Sequence, residues 1–142
     1  MKYIIKTETD TAKLAKKLAG QFKSGKVIGL IGNLGAGKTT FTQYLAKALG
    51  VKQTVNSPTF NIVKEYKVRC QMSNVKCLIH IDAYRLNSPE ELEALGVQEY
   101  FDNQQTVTVI EWADKVKNIL PKDAMIIKMK LSENGERIFE VK

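Results

Sequence analysis

Apolar positions along this chain change period several times, and each change marks an element. "KYIIK" at residues 2–6 reads as a short first strand. Asp10 then offers an N-cap to a helix whose apolar positions Ala12, Ala15, Leu18, Ala19 and Phe22 recur at three- and four-residue spacing, with Lys13, Lys16 and Lys17 as a solvated stripe. "KVIGLIG" reads as a buried strand and "TTFTQYLAKAL" as a helix that Gly50 terminates. After a turn at "NSP" and an extended run in "TFNIVKEYKV", "VKCLIHID" reads as a second buried strand. "NSPEELEALG" carries the signature of a capping box, with Ser88 as cap, Pro89 at the first helical position, Glu91 three residues past the cap and Gly96 as the stop. "TVTVIEW" is a β-branched strand ending in an acid, followed by a short helix around "ADKVKNIL". "AMIIKMKLS" and "RIFEVK", joined through Asn134-Gly135, form a terminal hairpin. Strands alternating with helices predict a three-layer α/β domain with a mainly parallel sheet and a C-terminal β-hairpin.

Composition narrows this picture without changing it. The 142 residues, 44% hydrophobic and 26% charged, suit one domain over 1–142 and leave no room for a second core. No run approaches a membrane span, and the opening residues are too short and too soon acidic for a secretory signal, so a cytoplasmic address with no membrane partner is expected. Cys70 and Cys77 lie outside any CxxC pattern and read as reduced thiols. The formal charge of +7 favours anionic partners such as nucleotides, RNA or an acidic protein face. The bias is diffuse, because only Arg69, Arg85 and Arg137 are arginines and no lysine cluster is interleaved with aromatics.

The chemistry is concentrated in "GNLGAGKTT", which fits G-x-x-x-x-G-K-[ST] from Gly32 to Thr39, after a buried strand and at the start of a helix. Glycines at 32, 35 and 37 let successive backbone N–H groups turn inward toward phosphate oxygens, and the positive end of the helix adds to the attraction. Lys38 is placed to bridge β- and γ-phosphates and the Thr39 hydroxyl to meet Mg²⁺. GTPases add N-K-x-D and D-x-x-G elements, and neither string occurs here. A nucleotide or small-molecule kinase is the alternative enzyme, although three arginines are few for the lid such kinases use; a nucleotide-dependent binding module is a further reading.

Such a site needs a carboxylate near the metal, and two strands end in one: Asp82 after "CLIHI" and Glu111 after "VTVI". In an open parallel sheet both tips face the same crevice, so one acid can hold the metal while the other orients the attacking water. His80 shares a face with Leu78 and Asp82 and, without partner ligands, reads as a hydrogen-bonded structural residue. Arg85 is open between phosphate contact and pairing with an acid. "SPTF" at 57–60 lies where switch-like loops contribute a hydroxyl, or is a plain Ser-Pro turn.

Taken in order, "GNLGAGKTTF", "SPTF", "HIDAYRL" and "VIEW" closely resemble the motifs of the TsaE family (formerly YjeE), bacterial ATPases of tRNA threonylcarbamoyladenosine synthesis. The resemblance spans essentially the whole domain. It implies a P-loop NTPase-like fold and an ATP- and Mg²⁺-dependent ATPase. It also implies work with TsaD and TsaB in placing a threonylcarbamoyl group on the adenosine beside the anticodon of ANN-decoding tRNAs, with tRNA met through that complex. Carried onto this chain, Leu34, Gly35, Ala36, Gly37, Lys38, Thr39 and Thr40 hold phosphates, and Thr39 and Glu111 bind Mg²⁺. Asp82 is then the acid near the attacking water, and Thr59 takes the switch-loop position. Thr9 and Gly135 are implied near the base of the nucleotide. Trp112 matches an aromatic position of the family, with core packing as its other reading.

Overall fold

The structure is a computed structural model that describes residues 1–58, 61–69 and 74–142. Its elements in chain order are β1 (Lys2–Ile5), α1 (Glu8–Ala19), β2 (Lys26–Ile31), α2 (Lys38–Leu49), β3 (Val63–Lys67), β4 (Cys77–Asp82), α3 (Pro89–Glu93), α4 (Val97–Asp102) and β5 (Thr106–Glu111). A 3-10 helix (Ala113–Ile119), β6 (Met125–Leu131) and β7 (Arg137–Val141) complete the chain. One seven-stranded sheet runs in the order β1-β7-β6-β2-β5-β4-β3. The four inner strands β6, β2, β5 and β4 are parallel. Antiparallel strands extend both sides: β3 on β4, β7 on β6, and β1 on β7.

Burial follows the period-two rule of strands. Ile28 and Leu30 of β2, Val107 and Val109 of β5, and Leu78 of β4 face α1 and α2, where Leu14, Leu18, Phe41 and Leu45 complete one core. Val27, Ile79, Ile81 and Ile110 face the opposite layer, with Leu92, Val97, Ala113 and Val116. The expected three layers are therefore present. Gly29 permits the second layer to approach: a Cβ there would lie 2.8 Å from Ala113 Cβ and 3.0 Å from Ile126 Cδ1.

Several local expectations shift. The cap of α1 is Thr7, not Asp10: the Asp10 N–H donates to Thr7 Oγ1, and the Asp10 carboxylate accepts from the Thr7 and Lys6 N–H groups. Asp10 is thus the third residue of a reciprocal box, and those backbone donors hold its carboxyl below the usual range. Ser88 does cap α3 with extended backbone, but its side chain makes no capping hydrogen bond, so the box expected with Glu91 does not form. α3 ends at Glu93, and Gly96, at φ 79°, instead starts α4. The hairpin at Asn134-Gly135 closes through three residues: the Ser132 N–H donates to Glu136 O, the Gly135 N–H to Ser132 O, and Gly135 takes φ 85°.

Candidate functional site

Inner strands all point the same way, so their carboxyl ends meet along one edge of the sheet. The connection leaving β2 runs through α2 on one face, whereas the connection from β5 to β6 runs through the 3-10 helix on the other. The crevice opens where neighbouring connections diverge in this way, between β2 and β5. The loop 32–37 leaves the end of β2 there. Gly35 (φ 81°) and Gly37 (φ 108°) adopt left-handed backbone conformations, and a Cβ on Gly32 would lie 2.5 Å from Met129 O. The Ala36 N–H closes a turn onto Asn33 O at 3.1 Å, and α2 begins directly after Gly37.

Lys38 is buried at the base of this loop. Its ammonium donates to Gly32 O (2.5 Å) and Asn33 O (2.9 Å) and lies 4.2 Å from the centre of the Trp112 ring. Burial pushes its pKa below the ordinary lysine value, while Glu111, Asp82 and Asp114 push it back up.

Asp82 and Glu111 are register partners on β4 and β5, and Glu111 is also paired with Leu30 of β2. Adjacent strands lie about 4.8 Å apart, so both acids and the loop share one small volume. Glu111 is only 3% exposed; its Oε1 accepts from the Thr39 hydroxyl at 2.9 Å and its Oε2 lies 2.5 Å from His80 Nε2. Asp82 is half-buried and accepts from the Ser57 hydroxyl (2.9 Å) and the Tyr84 N–H (3.0 Å). The resulting cleft, of about 320 Å³, is lined by Leu34, Gly35, Gly37, Lys38, Thr39, Thr40, Ser57, Asp82, Tyr84, Glu111, Trp112 and Arg137.

Most residues singled out from the sequence therefore converge. Ala36 is buried behind the loop. Thr9 lies exposed in the first turn of α1 and Gly135 at the tip of the hairpin, both outside the cleft lining. Their segments nevertheless approach each other through the Lys6–Glu136 ion pair at 3.6 Å. Thr59 lies outside the described residues. Arg85 is exposed beside the cleft, in a smaller hollow that shares Ser57, Asp82 and Tyr84 with it.

Three residues escaped sequence reasoning, and Ser57 takes a contact that the "SPTF" reading had left open. Arg137 directs Nε and a terminal nitrogen at Gly35 O (3.3 and 3.2 Å), reaching the loop from the far end of the chain. Ser57 takes Asp82, and Tyr84 packs on Trp112 at 4.9 Å between ring centres. Lys115 donates to Tyr84 O and lies over the Tyr84 ring. Trp112 packs against the second core, as one of its two readings had it, and also presents its face to Lys38, which the sequence did not suggest. Its φ of 60° is the single positive value among described non-glycine residues.

Hydroxyl and carboxylate oxygens are hard donors suited to Mg²⁺, and Thr39 and Glu111 already point theirs at each other. Among the described residues no group of three or more His, Cys, Asp or Glu side chains is arranged to hold a metal, so any cation here depends on the hydroxyl and on ligands from a bound molecule.

A parallel sheet with a glycine loop running from the central strand into a helix, and acids on the next two strand tips, defines a P-loop NTPase-like α/β protein. Comparison with known proteins narrows the class. The model of the family described as "Threonylcarbamoyl adenosine biosynthesis protein TsaE" matches residues 5–139, and the chain belongs to that family. Relatives described as tRNA threonylcarbamoyladenosine biosynthesis protein TsaE include one from Bacillus subtilis, 43% identical over 90% of this chain and 76% of its own length. Another, from Aquifex aeolicus, is 39% identical over 95% of this chain and 91% of its own. The crystal structure of Bacillus subtilis YdiB superposes with a TM-score of 0.75 at 34% identity, covering 98% of this chain and 82% of that one.

Proposed function

We propose that this chain is the Mg²⁺-dependent ATPase subunit of tRNA threonylcarbamoyladenosine formation. It acts with TsaD and TsaB on adenosine 37 of ANN-decoding tRNAs and meets tRNA through that complex. The observation carrying this reading is the convergence of Lys38, Thr39, Glu111 and Asp82 beside a glycine-lined loop in a member of the TsaE family.

In this reading the N–H groups of residues 34–40 face the phosphates, and Lys38 exchanges the carbonyls of Gly32 and Asn33 for the β- and γ-phosphate oxygens. Thr39 and Glu111 would hold Mg²⁺. When bound, the ion neutralises charge on the phosphates and on the departing ADP. Each oxygen of both carboxylates accepts from one protein group, but Glu111 is buried whereas Asp82 is half-buried and open to a water from the cleft. Asp82 therefore orients the attacking water. Its oxygen bonds to the γ-phosphorus as the bond to the β-phosphate bridging oxygen breaks, giving ADP and inorganic phosphate and releasing the water's proton. Thr59 supplies the switch-loop hydroxyl, while Thr9 and Gly135 border the base. Placement on the surface of a cytoplasmic assembly is consistent with the +7 charge, and no described helix is long and apolar enough to cross a membrane.

The test is phosphate release and tRNA modification by the purified chain with Mg²⁺-ATP, with and without TsaD and TsaB. Slow hydrolysis alone, and modified tRNA only with all three proteins, is expected. Rapid phosphorylation of a nucleoside or other small acceptor without partners would overturn the reading in favour of a kinase.

A further inference from the structure

Outside the groups assigned above, two buried side chains among the described residues carry a polar atom without a hydrogen-bond partner, Thr108 and His80, and of these His80 contacts a residue of the candidate site. It sits on β4 two residues before Asp82, is 0% exposed, and places Nε2 2.5 Å from Glu111 Oε2. Its other ring nitrogen, Nδ1, is buried and has no hydrogen-bond partner among the described residues. A residue that merely filled this part of the core would be served better by an aliphatic side chain, which strands no polar atom in an apolar layer. The imidazole is accounted for by its one polar contact.

That contact has a consequence further along. With Oε2 held by His80, rotation of the Glu111 carboxylate is restricted, and Oε1 is left facing the Thr39 hydroxyl at 2.9 Å. The hydroxyl proton, committed to Oε1, leaves the Thr39 lone pairs free to face the cleft. The three residues lie on different elements, β4, β5 and α2, and the sheet register brings His80 next to Val109 on the same face as Glu111.

We infer that His80 is a positioning residue: through the chain His80–Glu111–Thr39 it sets the oxygen donors for the cation, without itself touching cation or nucleotide. The inference rests on the proposed function and extends it by a residue outside the cleft lining. It requires an N–H at the Nε2 position, not a change of protonation. Outer partners of this kind commonly change metal affinity by about 10- to 100-fold when removed.

The experiment compares the full chain with His80→Gln, which keeps an N–H donor at similar reach, and His80→Leu, which keeps bulk and removes it. ADP affinity is measured by calorimetry at a series of Mg²⁺ concentrations and in chelator, with the melting temperature of each variant as a control. The expected result is that His80→Leu needs about tenfold more Mg²⁺ to reach full ADP affinity, that its affinity in chelator matches wild type, and that His80→Gln stays within about threefold of wild type. Equal Mg²⁺ dependence in wild type and His80→Leu overturns the inference, as does an equal defect in both variants, since either makes the residue a core filler. Should His80→Leu fail to fold, His80→Gln and His80→Asn decide: Asn, whose amide is one bond shorter, is expected to lose the Mg²⁺ response that Gln retains, and identical responses overturn the inference. A wild-type protein whose ADP affinity ignores Mg²⁺ overturns the proposed function itself, which separates the two failures.

Discussion

At the residue scale the site is governed by what each buried charge is offered in exchange for water. Lys38 is desolvated and compensated by two loop carbonyls and the Trp112 face, and its pKa is lowered chiefly by burial. A lysine with a lowered pKa carries a penalty on its charged form that is present at neutral pH and relieved as pH rises through the folded value. Phosphate binding needs that same charged form. Nucleotide affinity is therefore expected to decline as pH rises toward the ordinary lysine value of 10.5, starting below it, and titration of ADP binding against pH checks this. Lys38→Ala should abolish the alkaline decline and weaken ADP binding at neutral pH by about tenfold or more, because a charge-assisted contact of about 1.5–3 kcal/mol is removed. A variant with unchanged affinity would remove Lys38 from the site. Arg137→Ala, by contrast, removes only a brace on Gly35 O from an exposed side chain. Its effect should be smaller than that of Lys38→Ala in the same calorimetric assay and should leave the melting temperature nearly unchanged.

At the element scale the terminal and central segments depend on different physics. The box at the start of α1 is local: Thr7→Ala should cost about 1 kcal/mol in denaturant unfolding, the usual loss for a threonine cap. The Asp10 side of that box has a lowered pKa, so its support is complete above the ordinary value of 3.8 and is lost as pH falls through the lower folded one; Asp10→Asn should flatten the acid limb of the stability profile. β2 is not local. Gly29→Val pushes side-chain atoms into Ala113 and Ile126 from the opposite layer, and chemical denaturation should show a loss of at least about 1–3 kcal/mol. Both outcomes separate positions legible in the sequence from those that are not. The glycines 32, 35, 37 and 135 could be read from their motifs, whereas the need for glycine at 29 arises from Ala113 and Ile126, residues about 80 to 100 positions away.

For the whole molecule, the hairpin that closes the chain is tied to the loop near its start. Phe139 of β7 meets Phe41 of α2 edge-on at 6.3 Å, the Gly37 Cα faces Phe139, and Arg137 reaches Gly35. Nucleotide bound at the loop should therefore stabilise the domain as one unit: at a concentration about 100 times the dissociation constant, Mg²⁺-ADP is expected to add about 2.7 kcal/mol and raise the melting temperature in a single transition. Two transitions, with only one responding to nucleotide, would show that the hairpin and loop are not coupled.

What the sequence determined by itself was whatever has short range or a fixed spacing. The strand and helix periods, the phosphate-loop string, and the acids at the ends of two β-branched runs each depend on neighbours a few residues apart, and together they sufficed for the fold class and for naming Lys38, Thr39, Asp82 and Glu111 as candidates, which the fold then brings into one cleft. Tertiary structure alone decided which strands lie side by side. That choice pairs Asp82 with Glu111 in register, seats His80 against Glu111, delivers Ser57 to Asp82 and carries Arg137 back to Gly35. None of these contacts leaves a trace in spacing, because their partners are brought together by burial of two apolar sheet faces, which is indifferent to separation along the chain. The side-chain hydroxyl of Ser88 makes the complementary point: a local signature names the cap position, but the surrounding packing decides whether the bond is made.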